Sequence, residues 1–162
     1  MVATTLISCS FYKETSEGNV IVADSDLLKL TNIQKDISDN YKTIADSIGY
    51  FSDRFYFGTD RFNNEMKVLK KTNYSDLKEL HNSGIIKSFR VINSGCSAYL
   101  LEAPEANNLI YEYWDEIWLV YSSPKDSKCG EANSHQETTI WTKQLNENWK
   151  LIKNKRRRYI GG

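Results

Sequence analysis

A chain of 162 residues with 40% hydrophobic and 12% aromatic content is long enough to bury one sizeable core and too apolar to stay disordered. No stretch reaches the 18 or more consecutive apolar residues of a membrane-spanning helix, which excludes an integral helical membrane protein. The formal net charge is zero but unevenly spread. Lys150, Lys153, Lys155, Arg156, Arg157 and Arg158 fall in an acid-free C-terminal stretch, so 15 basic residues oppose all 21 acidic ones up to Trp149, a net charge of −6.

At the N-terminus, Leu6-Ile7-Ser8-Cys9 offers a branched apolar residue, a second β-branched one, a small residue and a cysteine. The tetrapeptide resembles the lipobox of bacterial lipoproteins, and that resemblance implies diacylglycerol on Cys9 and attachment to the cell envelope. The polar run Ser10 to Asn19 suits a short tether between an anchor and a domain. Residues 1–19 are therefore expected to be a truncated signal, lipobox and tether, residues 20–155 one globular domain, and residues 156–162 a basic tail. A buried cysteine in a first strand from Val2 to Phe11 is the competing reading of Cys9.

Leu30, Ile33, Ile37, Tyr41, Ile44 and Ile48 recur at steps of three and four and predict one amphipathic helix. It starts at Ser25, or at Thr31 with Gln34 as a capping box, and stops at Gly49. Tyr50 to Phe57 is aromatic and poorly alternating, which fits a short strand or a buried connection before the Gly58 turn. A second helix is expected over Asp60 to Lys71, and a third from Ser75 to near Gly84.

From Ile85 the period becomes alternating. Ile85, Phe89 and Val91 share one strand face, Asn93-Ser94-Gly95 turns the chain, and Cys96 to Leu101 forms the next strand. Leu109 to Tyr121 reads as one long strand, or as two joined at Asp115-Glu116. Thr138 to Lys143 and Trp149 to Lys155 complete the sheet. The fold class is α+β, with N-terminal helices packed on a C-terminal, mostly antiparallel meander. Cystatin-like and NTF2-like folds are similar in element order alone, and fold order carries no function.

With Cys9 taken as a lipid site, Cys96 and Cys129 remain as an even pair in an oxidising compartment. Antiparallel pairing in chain order brings the end of the long strand beside Cys96, and the loop carrying Cys129 follows that end. A Cys96–Cys129 disulfide is expected, against the alternative of two thiols in a reducing cytosol. No cofactor and no metal are expected, since CxxC is absent and the only histidines are His81 and His135.

Known catalytic motifs are missing, including GxSxG, HExxH and the P-loop. Cys129 beside Lys125, Lys128 and Glu131 is the one candidate thiolate. Asp115 and Glu116, between Trp114 and Trp118, are the one acid pair, but strand neighbours point to opposite faces. The chain reads as a binding module rather than an enzyme, with Tyr111, Tyr113, Trp114, Trp118 and Tyr121 as the binding surface. The expected protein is a small envelope lipoprotein that binds a protein or other macromolecule, with an immunity or inhibitor factor as one form of it. Its membrane contact runs through lipid on Cys9, and nucleic acid is not an expected partner. The alternatives are a cytoplasmic immunity-type inhibitor whose acidic body blocks a basic toxin, and a small enzyme of unknown chemistry.

Overall fold

The computed structural model describes residues 22–48, 55–102, 113–126, 129 and 137–157. Its first element, α1 (Asp24–Asp39), buries Leu30, Ile33 and Ile37 completely, as the periodicity predicts. The expected single helix is broken, however, because Asn40 separates α1 from α2 (Tyr41–Ile48). Asn40 Nδ2 donates to the Asp36 carbonyl at 2.9 Å and to the Asp36 carboxylate at 3.0 Å. Backbone bonds still run through the break, Asn40 N–H to the Asp36 carbonyl and Ile44 N–H to the Asn40 carbonyl, both at 3.1 Å, and Ile44 carries the apolar stripe onward into α2. The helix also starts at neither predicted cap: Ala23 holds the N-cap position with no side-chain bond.

Residues 49–54, with most of the aromatic segment after α2, lie outside the described residues, and β1 (Phe55–Tyr56) forms in its described end. The expected helix over 60–71 is shorter than predicted. Here α3 (Asp60–Glu65), capped by Thr59 Oγ1 accepting from Phe62 N–H, gives way to a 3₁₀ turn at Met66–Val68. The third helix, α4 (Lys71–Asn82), starts four residues before Ser75. Its start is set from a distance. Asp36 of α1 accepts from Lys70 N–H at 2.6 Å and from Asn73 Nδ2 at 2.9 Å, serving as a helix cap that local sequence does not reveal. At its other end Gly84 takes φ +80°, and Ile85 N–H closes onto the Leu80 carbonyl at 3.0 Å.

The strands are β2 (Ser88–Asn93), β3 (Cys96–Glu102), β4 (Tyr113–Ser122), β5 (Glu137–Gln144) and β6 (Trp149–Arg157). With β1 they form a six-stranded antiparallel sheet in the order β1-β2-β3-β4-β6-β5. The molecule is thus α+β, with helices first and an antiparallel sheet second. The order departs from a simple meander at its end, because β6 and not β5 pairs with β4. Burial supplies the reason. Trp149, Leu151 and Ile152 are buried on both sides of β6, whereas β5 is half-buried or exposed throughout. The apolar strand takes the inner position and the threonine-rich strand the edge. β4 runs unbroken through Asp115-Glu116, and β6 extends through Arg156 and Arg157, residues assigned from sequence to the tail.

One face of the sheet carries the register row Phe55, Phe89, Tyr99, Leu119 and Leu151 beneath the helices. Phe55 and Phe89 stack at 4.9 Å, and Trp149 lies 5.3 Å from Tyr121 and 5.9 Å from Tyr99. Three bonds trace α1 across this face: Ser38 Oγ to the Ser94 carbonyl, Tyr99 hydroxyl to Gln34 Oε1, and Trp149 Nε1 to Thr31 Oγ1. The far face carries a second buried cluster of Cys96, Ala98, Leu100, Trp118, Val120, Cys129 and Ile152. Buried on both sides, β3 reads as a nearly continuous apolar run.

Candidate functional site

The alternation of β4 divides its residues between the two faces. Trp114, Glu116, Trp118 and Val120 share the far face, and Asp115, Ile117, Leu119 and Tyr121 share the helix face. The expected aromatic surface is therefore split. Trp118 is buried and Trp114 half-buried on one side, while Tyr121 packs on Trp149 on the other. Tyr113 pairs with Arg157 across the ladder but its side chain lies outside the described part of the structure, as does all of Tyr111.

Between the two far-face indoles sits Glu116, only 2% exposed. Its Oε1 accepts from Trp114 Nε1 at 3.1 Å and its Oε2 from Trp118 Nε1 at 3.0 Å. Arg156 Nε lies 3.4 Å from Glu116 Oε2 and 3.3 Å from Glu137 Oε1, bridging β4 to the edge strand. Asn154 Nδ2 donates to Glu137 at 3.0 Å and Thr139 Oγ1 to Asn154 Oδ1 at 3.0 Å. The Arg90 guanidinium stands 4.9 Å over the Trp118 ring, a cation–π contact that closes the cluster toward β2. A carboxylate held by two indole N–H groups and facing a guanidinium has its lone pairs engaged. This arrangement suits a structural clamp better than a general acid or base. The spacing Trp-x-Glu-x-Trp is its sequence signal, since three alternate strand residues share a face. Glu137 and Arg156 carry no such local signal.

Asp115, the other half of the acid pair, lies on the helix face 3.4 Å from Lys153 Nζ. The two carboxylates cannot act on one bond, as strand geometry predicts. Cys96 and Cys129 are joined in a disulfide with Cα atoms 5.8 Å apart, within the ordinary range. This pairing was expected from the topology, because Cys96 lies opposite Ser122 at the end of β4. Turns place Cys129 there: Asp126 N–H bonds the Ser123 carbonyl and Cys129 N–H the Asp126 carbonyl, both at 2.9 Å. Beside the bridge, Gly95 packs closely against the side chains of Ser123 and Asp126, which are bonded to each other at 2.9 Å. A Cβ there would collide with the Asp126 carboxylate and the Ser123 hydroxyl. The disulfide removes Cys129 as a candidate thiolate.

His81 stacks on Phe57 at 4.1 Å and places Nδ1 3.0 Å from the Ile86 carbonyl, which assigns the ring proton to Nδ1. His135 and Cys9 lie outside the described residues. Burial pushes the Tyr99 phenol well above its usual range, and the Glu79 carboxylate bonded at 2.8 Å raises the Lys29 ammonium. Among the described residues no three metal-ligating side chains gather, and no helix is long and apolar enough to cross a membrane. No family model, characterised protein or solved structure matches the chain.

Proposed function

We propose that the chain is a small lipid-anchored protein of the bacterial envelope that acts as a non-enzymatic binding or inhibitor module, with an immunity factor as one form of that activity. The observation that carries this reading is the buried Cys96–Cys129 bridge. A structural disulfide of this kind belongs to an oxidising compartment, and Cys9, within its lipobox-like tetrapeptide, is the third cysteine of the sequence and not part of that bridge. Three candidate reactive groups have structural partners: Glu116 in its indole clamp, His81 on the Ile86 carbonyl and Cys129 in the bridge. The partner is a protein or other macromolecule engaged through the aromatic end of β4, where Trp114 is half-buried.

Intact-mass spectrometry of the product expressed from its native locus tests the location. The expected mass is that of a chain starting at an acylated Cys9, and Cys9→Ser is expected to move the protein from the membrane to the soluble fraction. A Met1-initiated chain with two reactive thiols at Cys96 and Cys129 would overturn the reading in favour of the cytoplasmic inhibitor.

A further inference from the structure

The basic C-terminal segment is not a featureless tail: its pleat sorts the charges. Trp149, Leu151, Lys153, Lys155 and Arg157 alternate onto the helix face, while Arg156 turns to the far face and meets Glu116 and Glu137. Along that helix-face row Trp149 and Leu151 are buried, Lys153 is half-buried, and Lys155 and Arg157 are exposed. The strand thus emerges from beneath the helices as a stripe of three cations spanning roughly 13 Å, the innermost of which, Lys153, is ion-paired with Asp115 at 3.4 Å.

The positions paired with these cations across the sheet are Tyr113, Asp115 and Ile117 on β4, and Thr138 and Trp141 on β5. Asp115 is the carboxylate among them. Ile140, at the irregularity between Thr139 and Trp141, is 48% exposed, and Trp141 beside it is half-buried at the margin of the core. One corner of the sheet therefore combines cations, an indole and an exposed aliphatic side chain, the residue classes that settle at a bilayer interface.

We propose that Lys153, Lys155 and Arg157, with Ile140 and Trp141 beside them, form a surface that docks against an anionic phospholipid bilayer. Charge favours this occupant, because the chain up to Trp149 carries a net −6 and would be repelled from such a bilayer elsewhere. Chain length permits it. The Thr31 bond places α1 over Trp149, at the start of β6, whereas Lys155 and Arg157 lie toward its other end, about 20–26 Å along the strand. Twelve residues, Ser10 to Ile21, separate Cys9 from the first described residue, a contour of at most about 40 Å, enough to bring that end of β6 to a membrane holding the anchor. The inference takes its biological setting from the lipid-anchored reading, but the docking itself is a property of the folded surface.

The test uses the full-length Cys9→Ser chain, which carries no acyl group, with the disulfide intact. It is sedimented with vesicles of phosphatidylglycerol in phosphatidylcholine and with vesicles of phosphatidylcholine alone. Preferential binding to the anionic vesicles is expected, weakening strongly between about 0.05 and 0.5 M salt as the Debye length shrinks. Lys155→Gln with Arg157→Gln is expected to weaken binding about 25-fold, roughly fivefold per charge. Ile140→Ser should lower the binding that survives high salt. The exposed pair Lys70→Gln with Lys71→Gln serves as the control, expected to bind as the parent does.

Equal binding to both vesicle types, or a double variant that binds like the parent, would overturn the docking surface. Tighter binding to heparin than to anionic vesicles would overturn it in favour of a polyanion-binding site. Anionic-vesicle binding by a chain whose native form lacks acylation would refute the anchor and leave the surface standing. An acylated native chain whose unacylated form ignores anionic vesicles would do the reverse.

Discussion

Glu116 shows how one residue can define the chemistry of a sheet face. Two indole N–H groups and a guanidinium converge on a carboxylate that is almost fully buried. Removing it strands both indole donors and leaves Arg156 to Glu137 alone, so Glu116→Ala is expected to cost about 3 kcal/mol in urea unfolding. Glu116→Gln should cost less, about 1–2 kcal/mol, because an amide offers one acceptor to two indoles. Tyr99 supplies a pH-dependent counterpart. Its burial raises the phenol pKa in the folded state, so above the unfolded value of about 10 the unfolded chain binds fewer protons than the folded one. Stability is expected to be unaffected by this group below that pH and to fall as pH rises beyond it. Tyr99→Phe should flatten the alkaline limb of the stability profile measured by denaturant titration.

At the scale of elements, helix boundaries follow from tertiary contacts more than from local propensity. Asp36 accepts from Asn40, Lys70 and Asn73, and so joins the break after α1 to the start of α4. Asp36→Ala leaves the Lys70 N–H and the Asn73 amide without that acceptor beneath the helices, and should cost about 2–3 kcal/mol by thermal or urea unfolding. It should also increase hydrogen exchange in the first turn of α4 before the rest of the helix. The apolar periodicity of residues 30 to 48 was legible because it depends on side chains three and four apart. The early start of α4 was not, since the carboxylate that caps it, Asp36, lies 34 residues before Lys70 in sequence.

For the whole molecule, the decisive link is the bridge that ties β3 to the segment after β4. Its cysteines are 33 positions apart, and in the chain-entropy picture such closure contributes roughly 3–4 kcal/mol. The double variant Cys96→Ala with Cys129→Ala is expected to lower the urea midpoint accordingly, and adding reductant should not lower it further. The unbridged chain should remain α+β by circular dichroism, because the helix-face core does not include either cysteine.

The amino-acid sequence by itself determined the fold class, the approximate positions of most strands, the disulfide partners and the opposite facing of Asp115 and Glu116. Each of these depends on local periodicity or on strand order along the chain. The tertiary structure decided the exchange of β5 and β6, the indole clamp around Glu116, the remote cap by Asp36 and the emergence of Lys155 and Arg157 from under the helices. The physical reason is common to all four. A strand takes its place, and a buried charge its partners, through competition for burial among segments far apart in sequence, and that competition is resolved only when the chain has packed.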